Sequence, residues 1–542
     1  MVEKFNSNVP NPQNENPLGP GGGEDLEVEK VGQEVDLDTG AVEPDVIIEE
    51  DGSAVISPED EAPVAAGFSS NLAEVLDEAY LQAIANELVD KVDNDKSTRE
   101  DWEQSYTKGL DLLGFKYEER TRPFRGAASV NHPVLAQAVT QFQAMAYVEL
   151  LPSDGPVRTQ VVGANSPELQ QAAERVKDYM NYEITHVMED YNPEMDQLLF
   201  QLPLSGSAFK KVYYDEVLGR ATSKFVPAED VIVPYGCSDL DTCERITQVL
   251  KMSKNDLRKK QVSGFYLDTP TAGYDGAYEN GLQEKKDEID GESPGQYSMD
   301  GMAELYEMHV DLDLEGFEDI NSRNGEPSGI KLPYIVTIDR SNNTILSIYR
   351  NYDENDSLKN KNEYFVHYKF LPGLGFYGFG LIHMIGGLTR SATSALRQLL
   401  DAGTLSNLPA GFKSRGYKGP DQVLMQLLGF CVDAAKQFAT VADMQLSEIG
   451  SSQTPVGTTM ALMERGTKVM SAVHKRLHYA QKKEFELLAK IFKLVLPPVY
   501  PYAVAGGPRE IKMADFDDNI DILPVSDPNI FSMSQRVTLA QN

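Results

Sequence analysis

Cations are scarce in this 542-residue chain: 49 Lys and Arg stand against 84 Asp and Glu, a net charge of −35. Affinity for nucleic acid comes mostly from Lys and Arg releasing counterions from phosphates, so a tight, static hold on DNA or RNA is not expected. Touching DNA without holding it stays open. Cysteine is scarcer still: Cys237, Cys243 and Cys431 are too few and too scattered for a disulfide framework, and C-x5-C alone is not a zinc spacing. A reducing cytoplasm fits that usage. Long apolar runs are missing too, and the N-terminal MVEKFNSNVP has no apolar h-region, so neither a membrane span nor a signal peptide is expected. No G-x-S-x-G elbow occurs, and no Cys or Ser has a nearby His in an activating pattern. The chain is expected not to be an enzyme and to need no cofactor.

Apolar residues, at 41%, are ample for a large core. The charge is uneven. Residues 1–70 hold 17 acids and two lysines, a net of −15 that leaves −20 for the rest. This stretch mixes Pro, Gly, Asn and acids without periodicity and is expected to be a disordered acidic tail. From Asn71, Leu72, Val75, Leu76, Ala79, Leu81 and Ile84 recur near helical spacing, and a second helix is expected over Trp102 to Leu113. The loop TRPFRGAASVNHP leads into a helix over VLAQAVTQFQAMAYVELLP, and Pro167 opens another, running to about Asp190.

The middle reads as strands: SAFKKVYYD, ITQVLKM, AELYEMHVDLDL, and a hairpin of Tyr334 to Asp339 and Ile345 to Tyr349 around RSNNT. Residues 270–300 read as a long exposed loop. Helices follow. One stripe comprises Leu381, Ile385, Leu388, Ala392, Ala395 and Leu399; a second comprises Leu424, Leu428, Cys431, Ala435, Phe438 and Ala442. A third helix, about Gly457 to Leu496, would be roughly 60 Å long and needs a neighbour to pack on.

Four short motifs invite chemistry. Gly373-Leu374-Gly375-Phe376-Tyr377-Gly378 is a literal G-x-G-x-x-G, but hairpin-type strands precede it, and Asp401, at the spacing of a ribose-binding acid, falls inside a helix. A strand-to-helix hinge at Gly373, Gly375, Gly378 and Gly380 is the expectation instead. GLDLLGFKY places Lys116 one position late for a phosphate loop, with no Ser or Thr after it. DLDLEGFEDINS has Ser322 where a calcium loop needs a bidentate Glu. His474 and His478 share a helix face, but Lys475 replaces the Glu of H-E-x-x-H and no third ligand is evident, so a solvated basic face is expected and no metal.

Longer stretches carry more. TRPFRGAASVNHPVLAQAVTQFQA, VPAEDVIVPYGCSDLDTCERIT, YKFLPGLGFYGFGLIHMIGGLTRSATSALRQLLDAGTLSNLPAGFKSRG and LLGFCVDAAKQFATVADMQ together resemble the portal proteins of tailed double-stranded DNA bacteriophages, the short-tailed type in particular. The resemblance covers about residues 70 to 540. It implies an α+β, mainly helical subunit of a homo-oligomeric ring, about twelve-fold, at one capsid vertex of the virion, assembled in the host cytoplasm. Its partners would be the terminase large subunit, a head-tail adaptor, the major capsid and scaffolding proteins, and double-stranded DNA in transit, with no membrane.

Carried over by segment, residues 71–372 look like the wing domain, 373–405 the hinge and first stem helix, 406–421 a short remnant of the clip, and 422–446 the second stem helix. Residues 447–456 look like the tunnel loop, with Ser447, Ser451, Ser452 and Gln453 facing the channel. The long helix 457–496 and the return to the wing, 497–542, follow. Leu388, Leu399, Leu424, Leu428 and Phe438 would pack the stem. The family's β-rich clip is represented only by SNLPAGFKSRGYKGPDQ. The chain stops where Ser532 reads as an N-cap with its helix barely begun, so a truncated product is expected.

Three points agree with this from the residues alone. The two striped helices are not expected both to be satisfied within a monomer, so ring neighbours are natural partners. Twelve helices of about 10 Å width give a circle of roughly 38 Å between axes and about 28 Å clear, enough for a B-form duplex. An acidic wall would let DNA slide rather than brake it. The alternatives from other classes are a nucleotide-binding enzyme built on Gly373 to Gly378, which requires a parallel sheet after Gly380, and a helical scaffold protein.

Overall fold

The computed structural model describes residues 46–48, 54–56, 67–115, 120–122, 124–163, 166–216, 218–270, 281–291, 302–320, 326–407, 421–439, 456–504, 507–517 and 519–525, with side chains outside 46–48, 54–56, 407, 436–439 and 456–471. The chain divides into residues 1–64 and 65–542. In the first unit β1 (Val46–Ile48) pairs antiparallel with β2 (Ala54–Ile56), a short hairpin inside the stretch expected to lack structure.

The second unit is a mixture of helices and antiparallel sheets. In chain order it comprises α1 (Glu78–Thr98), α2 (Glu100–Leu110), α3 (Val134–Leu150), β3 (Val157–Val161), α4 (Pro167–Tyr182), α5 (Tyr191–Ser205), β4 (Ser207–Asp215), β5 (Arg220–Pro227), β6 (Val231–Ile232), β7 (Arg245–Ser253), α6 (Lys254–Val262) and α7 (Gly281–Asp290). There follow β8 (Met302–Leu312), β9 (Leu332–Asp339), β10 (Thr344–Arg350), β11 (Phe365–Lys369), α8 (Leu381–Asn407), α9 (Gln422–Ala439), α10 (Val456–Val495), β12 (Val499–Val504), β13 (Gly507–Lys512) and β14 (Ile520–Pro524). No helix among the described residues is long and apolar enough to cross a membrane.

Local chemistry sets the boundaries. The folded unit starts before Asn71: Phe68 meets Tyr352 edge-on and lies under Arg350. Asn71 caps only a single turn, and α1 begins after Asp77, whose carboxylate accepts from the amides of Ala79 and Tyr80. Ser166 caps α4 with Pro167 at its first position. Helix α5, absent from the sequence expectation, carries Tyr191, Met195, Leu198, Leu199 and Leu202 on its buried face. Its Pro193 falls in the first turn, where a missing N–H costs nothing. Helix α7 likewise replaces part of the loop expected over residues 270–300, seating Leu282 in the core.

Strand order is β10-β9-β8-β7-β6 in one sheet and β11-β4-β5 in another, with all pairings antiparallel. Helix α1 covers the five-stranded sheet, placing Leu81, Ala85, Leu88 and Val92 on Tyr306, Met308, Val336 and Ile338. Helices α5 and α10 pack on the three-stranded sheet. From Val473 to Leu496 the buried face of α10 runs through Leu477, Ala480, Phe485, Leu488 and Phe492. At its centre Glu484 is fully buried and binds Lys210 Nζ (3.0 Å), Ser223 Oγ (2.6 Å) and Tyr368 Oη (2.5 Å), with the lysine over the Tyr191 ring. A buried ion pair stabilises little net of desolvation, but losing one partner strands the other, so the network fixes the register of α10. After α10 the chain returns to the body: β14 pairs with β3, Ile520 opposite Val161.

Candidate self-assembly face and glycine seam

The glycine-rich segment sits between antiparallel β11 and α8, and α8 is followed by α9 rather than a parallel strand. Its glycines answer to backbone packing. A Cβ on Gly378 would lie 2.4 Å from the carbonyl oxygen of Gly206 and 2.7 Å from that of Leu371, and one on Gly380 would lie 2.3 Å from the Leu204 oxygen. On Gly373 it would meet the Tyr377 oxygen at 2.5 Å, whereas around Gly375 nothing lies within 4 Å. The amide of Gly378 donates to Ser207 Oγ (2.8 Å) and that of Phe379 to the Leu371 carbonyl (2.8 Å). Gly206 itself ends α5 at φ 85°, in the left-handed region that favours glycine. The four glycines expected as a hinge thus form a seam where two backbones touch, with Gly375 its one open position.

Arg99 locks the seam from the other side. Its buried guanidinium donates to the Val231 carbonyl (2.8 Å), the Glu229 carbonyl (2.5 Å) and Tyr377 Oη (3.0 Å), and pairs with Glu103 (2.7 Å). Trp102 stacks on Tyr377 with ring centroids 4.5 Å apart. At the start of α8, the Gly380 amide donates to His383 Nδ1 (3.1 Å).

Helices α8 and α9 pack on each other, and their base is held by the body. Ile385, Thr389, Ala392 and Ala395 of α8 and Cys431 and Ala435 of α9 are buried. The loop TRPFRGAASVNHP clasps α8: Ala128 donates to Asp401 Oδ1 (2.6 Å), the His132 amide to Thr393 Oγ1 (3.1 Å), and Arg397 to the Val130 carbonyl (2.9 Å) and Asn131 Oδ1 (2.5 Å). The expectation that the two stripes cannot both be satisfied within one chain is therefore corrected for the base, because α3 reaches both helices.

The outer turns differ. Leu388, Leu399, Leu424 and Leu428, expected to pack the stem, are half-buried. Val423, Met425, Leu427 and Phe430 of α9 face solvent at 69%, 68%, 48% and 68% exposure, and Leu400 of α8 at 45%. Val423, Leu427 and Phe430, spaced i, i+4 and i+7, leave an uncovered apolar face of the kind that marks an interaction site, and Met425 is exposed on the opposite flank of the buried line. The sequence expectation missed these residues because they lie off the stripe it followed.

His474 and His478 are buried, not solvated: Glu149, near the end of α3, pairs with His474 Nδ1 and, at 3.4 Å, with His478 Nε2. Burial alone would raise the Glu149 carboxyl, but the hydrogen bonds and charges of the two imidazoles outweigh it and hold its pKa at about 2. Among the described residues no group of three or more His, Cys, Asp or Glu is arranged to hold a metal ion. Ser447, Ser451, Ser452 and Gln453, residues 408–420 of the clip remnant, Lys116, Ser322 and Ser532 lie outside the described residues, as does the side chain of Phe438. No protein-family model matches this sequence, and no curated protein matches it.

Proposed function

We propose that the chain is a portal-type subunit: it assembles into a ring at one vertex of a tailed-phage capsid, through which double-stranded DNA is packaged and ejected and on which terminase and tail adaptors dock. The observation that carries this is the α8–α9 pair, whose base is tied into the body while Val423, Leu427 and Phe430, on one face of α9, stay uncovered. A heterologous contact that buries this face against the next subunit, repeated by rotation, closes into a ring.

Two further features support it. The α+β body, with α10 anchored through Glu484, supplies a rigid mount for a helical stem. The acidic balance keeps a channel wall from gripping DNA. In this reading 447–456 is the tunnel loop and the chain contributes no catalytic group, the work of DNA translocation belonging to the terminase. Negative-stain imaging of the purified full chain tests it: rings with a central hole are expected, and monodisperse particles without a hole at micromolar concentration would overturn it.

A further inference from the structure

The connection between β6 and β7, residues 233–244, brings two thiols together. Gly236 turns the chain at φ 90°, and Asp239 Oδ1 accepts from the amide (2.9 Å) and hydroxyl (2.7 Å) of Thr242, curling the segment back on itself. Lys361 fixes the curl by donating to the carbonyls of Leu240 and Cys243, both at 3.0 Å. Cys243 is buried in the cluster against which Cys237 packs, and each thiol donates to a backbone carbonyl at 3.1 Å, Cys237 to that of Asp239 and Cys243 to that of Arg245. Both are free thiols, Cys243 buried and Cys237 partly exposed. They pack in one cluster with Phe376 and Tyr377 of the glycine-rich segment.

The pair is asymmetric in the way a dithiol switch requires. The Cys243 side chain lowers the Cys237 thiol below its ordinary range against the opposing effect of burial, with the Lys361 ammonium adding to it. The Cys237 side chain, and then burial, push Cys243 up. An accessible, more acidic thiol beside a buried partner is the arrangement of an attacking and a resolving cysteine.

We propose that Cys237 and Cys243 are a dithiol redox site that closes to an intrachain disulfide on exposure to a small-molecule disulfide such as oxidised glutathione. The Cys237 thiolate attacks one glutathione sulfur, forming a mixed disulfide and expelling one glutathione thiolate. Cys243 then gives up its proton and attacks the Cys237 sulfur, expelling the second. The two cysteines lose two electrons, the glutathione disulfide gains them, and the two thiol protons end on the two reduced glutathiones. Closure staples the 233–244 connection within the apolar cluster that also holds Phe376 and Tyr377. The site stands on the local geometry and is independent of ring assembly.

The test uses the native full chain, incubated with oxidised glutathione, with thiols counted and the intact mass measured. Of the three cysteines, one free thiol should remain, Cys431, buried in α9, and the mass should fall by about 2 Da. Cleavage before Asp239 and Asp241 cuts the chain between the two cysteines, so their peptides stay joined only if the disulfide has formed. In Cys243→Ser the reaction should stop at the mixed disulfide, about 305 Da heavier, on Cys237. Three surviving thiols, a stable glutathione adduct on the wild-type chain, or dimers cross-linked through Cys237 would each overturn the proposal.

Discussion

The two ends of α9 share a composition but not a fate. At its base Cys431 and Ala435 are buried, whereas Val423, Met425 and Leu427, one to three turns earlier, and Phe430, on the face turned away from Cys431, are open to solvent. The same contrast runs along α8, where Ile385 is fully buried and Leu400 is 45% exposed. Periodicity thus reports that a helix carries apolar surface, and only the packing reports which part of it another element of the same chain already covers. The uncovered part is where a second copy must act if the chain assembles.

The contrast is sharpest if the base is attacked first. Ile385→Asp puts an unpaired carboxylate among buried apolar groups and should cost more than about 4 kcal/mol, enough to lose cooperative unfolding in urea. A variant that still unfolds at the wild-type midpoint would mean that the base is not held by the body. The seam beneath α8 offers a finer comparison. Gly378→Ala forces a methyl against two carbonyl oxygens and should lower stability by about 1–3 kcal/mol, while Gly375→Ala, with open space around it, should stay within about 0.5 kcal/mol. Equal effects at both positions would favour a flexible hinge over a packed seam.

Glu149 gives a smaller effect with a defined pH dependence. Folding holds its carboxyl at about 2 against an ordinary 4.5, so its contribution is complete above the ordinary value and is lost as the pH falls through the folded one. Glu149→Gln should therefore be less stable by about 1 kcal/mol at pH 7, and the difference should close between about pH 4.5 and 2 in thermal unfolding. A difference that widens on acidification would contradict the Glu149–His474–His478 contact.

Much of the fold was legible in the sequence for reasons the packing makes plain. Strands such as Ser207–Asp215 and the β9–β10 hairpin are short apolar, β-branched and aromatic runs bounded by turn residues, buried along most of their length, and the long helix α10 carries a stripe that its buried face uses. What escaped is equally physical. In α5 the prolines 193 and 203 masked an apolar face, and α7 has only Leu282 and Ile289, seven residues apart, to announce it. The Lys210–Glu484 pair spans 274 residues, and no local pattern shows that two opposite charges will be buried together. The glycines were legible as special, but not as a seam, since the partner Gly206 lies far away in the chain. Of the candidate assembly face, the half-buried stripe at Leu424 and Leu428 was visible; the exposed residues beside it were not, because a search for one stripe discards the apolar residues that fall outside it.

The central claim is that these exposed residues hold subunits together while contributing little to the fold of each. Mass photometry of the wild-type chain and of Val423→Ser combined with Phe430→Ser, which share one face of α9, at one concentration, tests it directly. The wild type should appear as a closed oligomer of about twelve subunits and the double variant as monomers, with monomer stability changed by no more than about 0.5 kcal/mol because both side chains are already in water. A wild type that stays monomeric, or a double variant that assembles as well as the wild type, would contradict it.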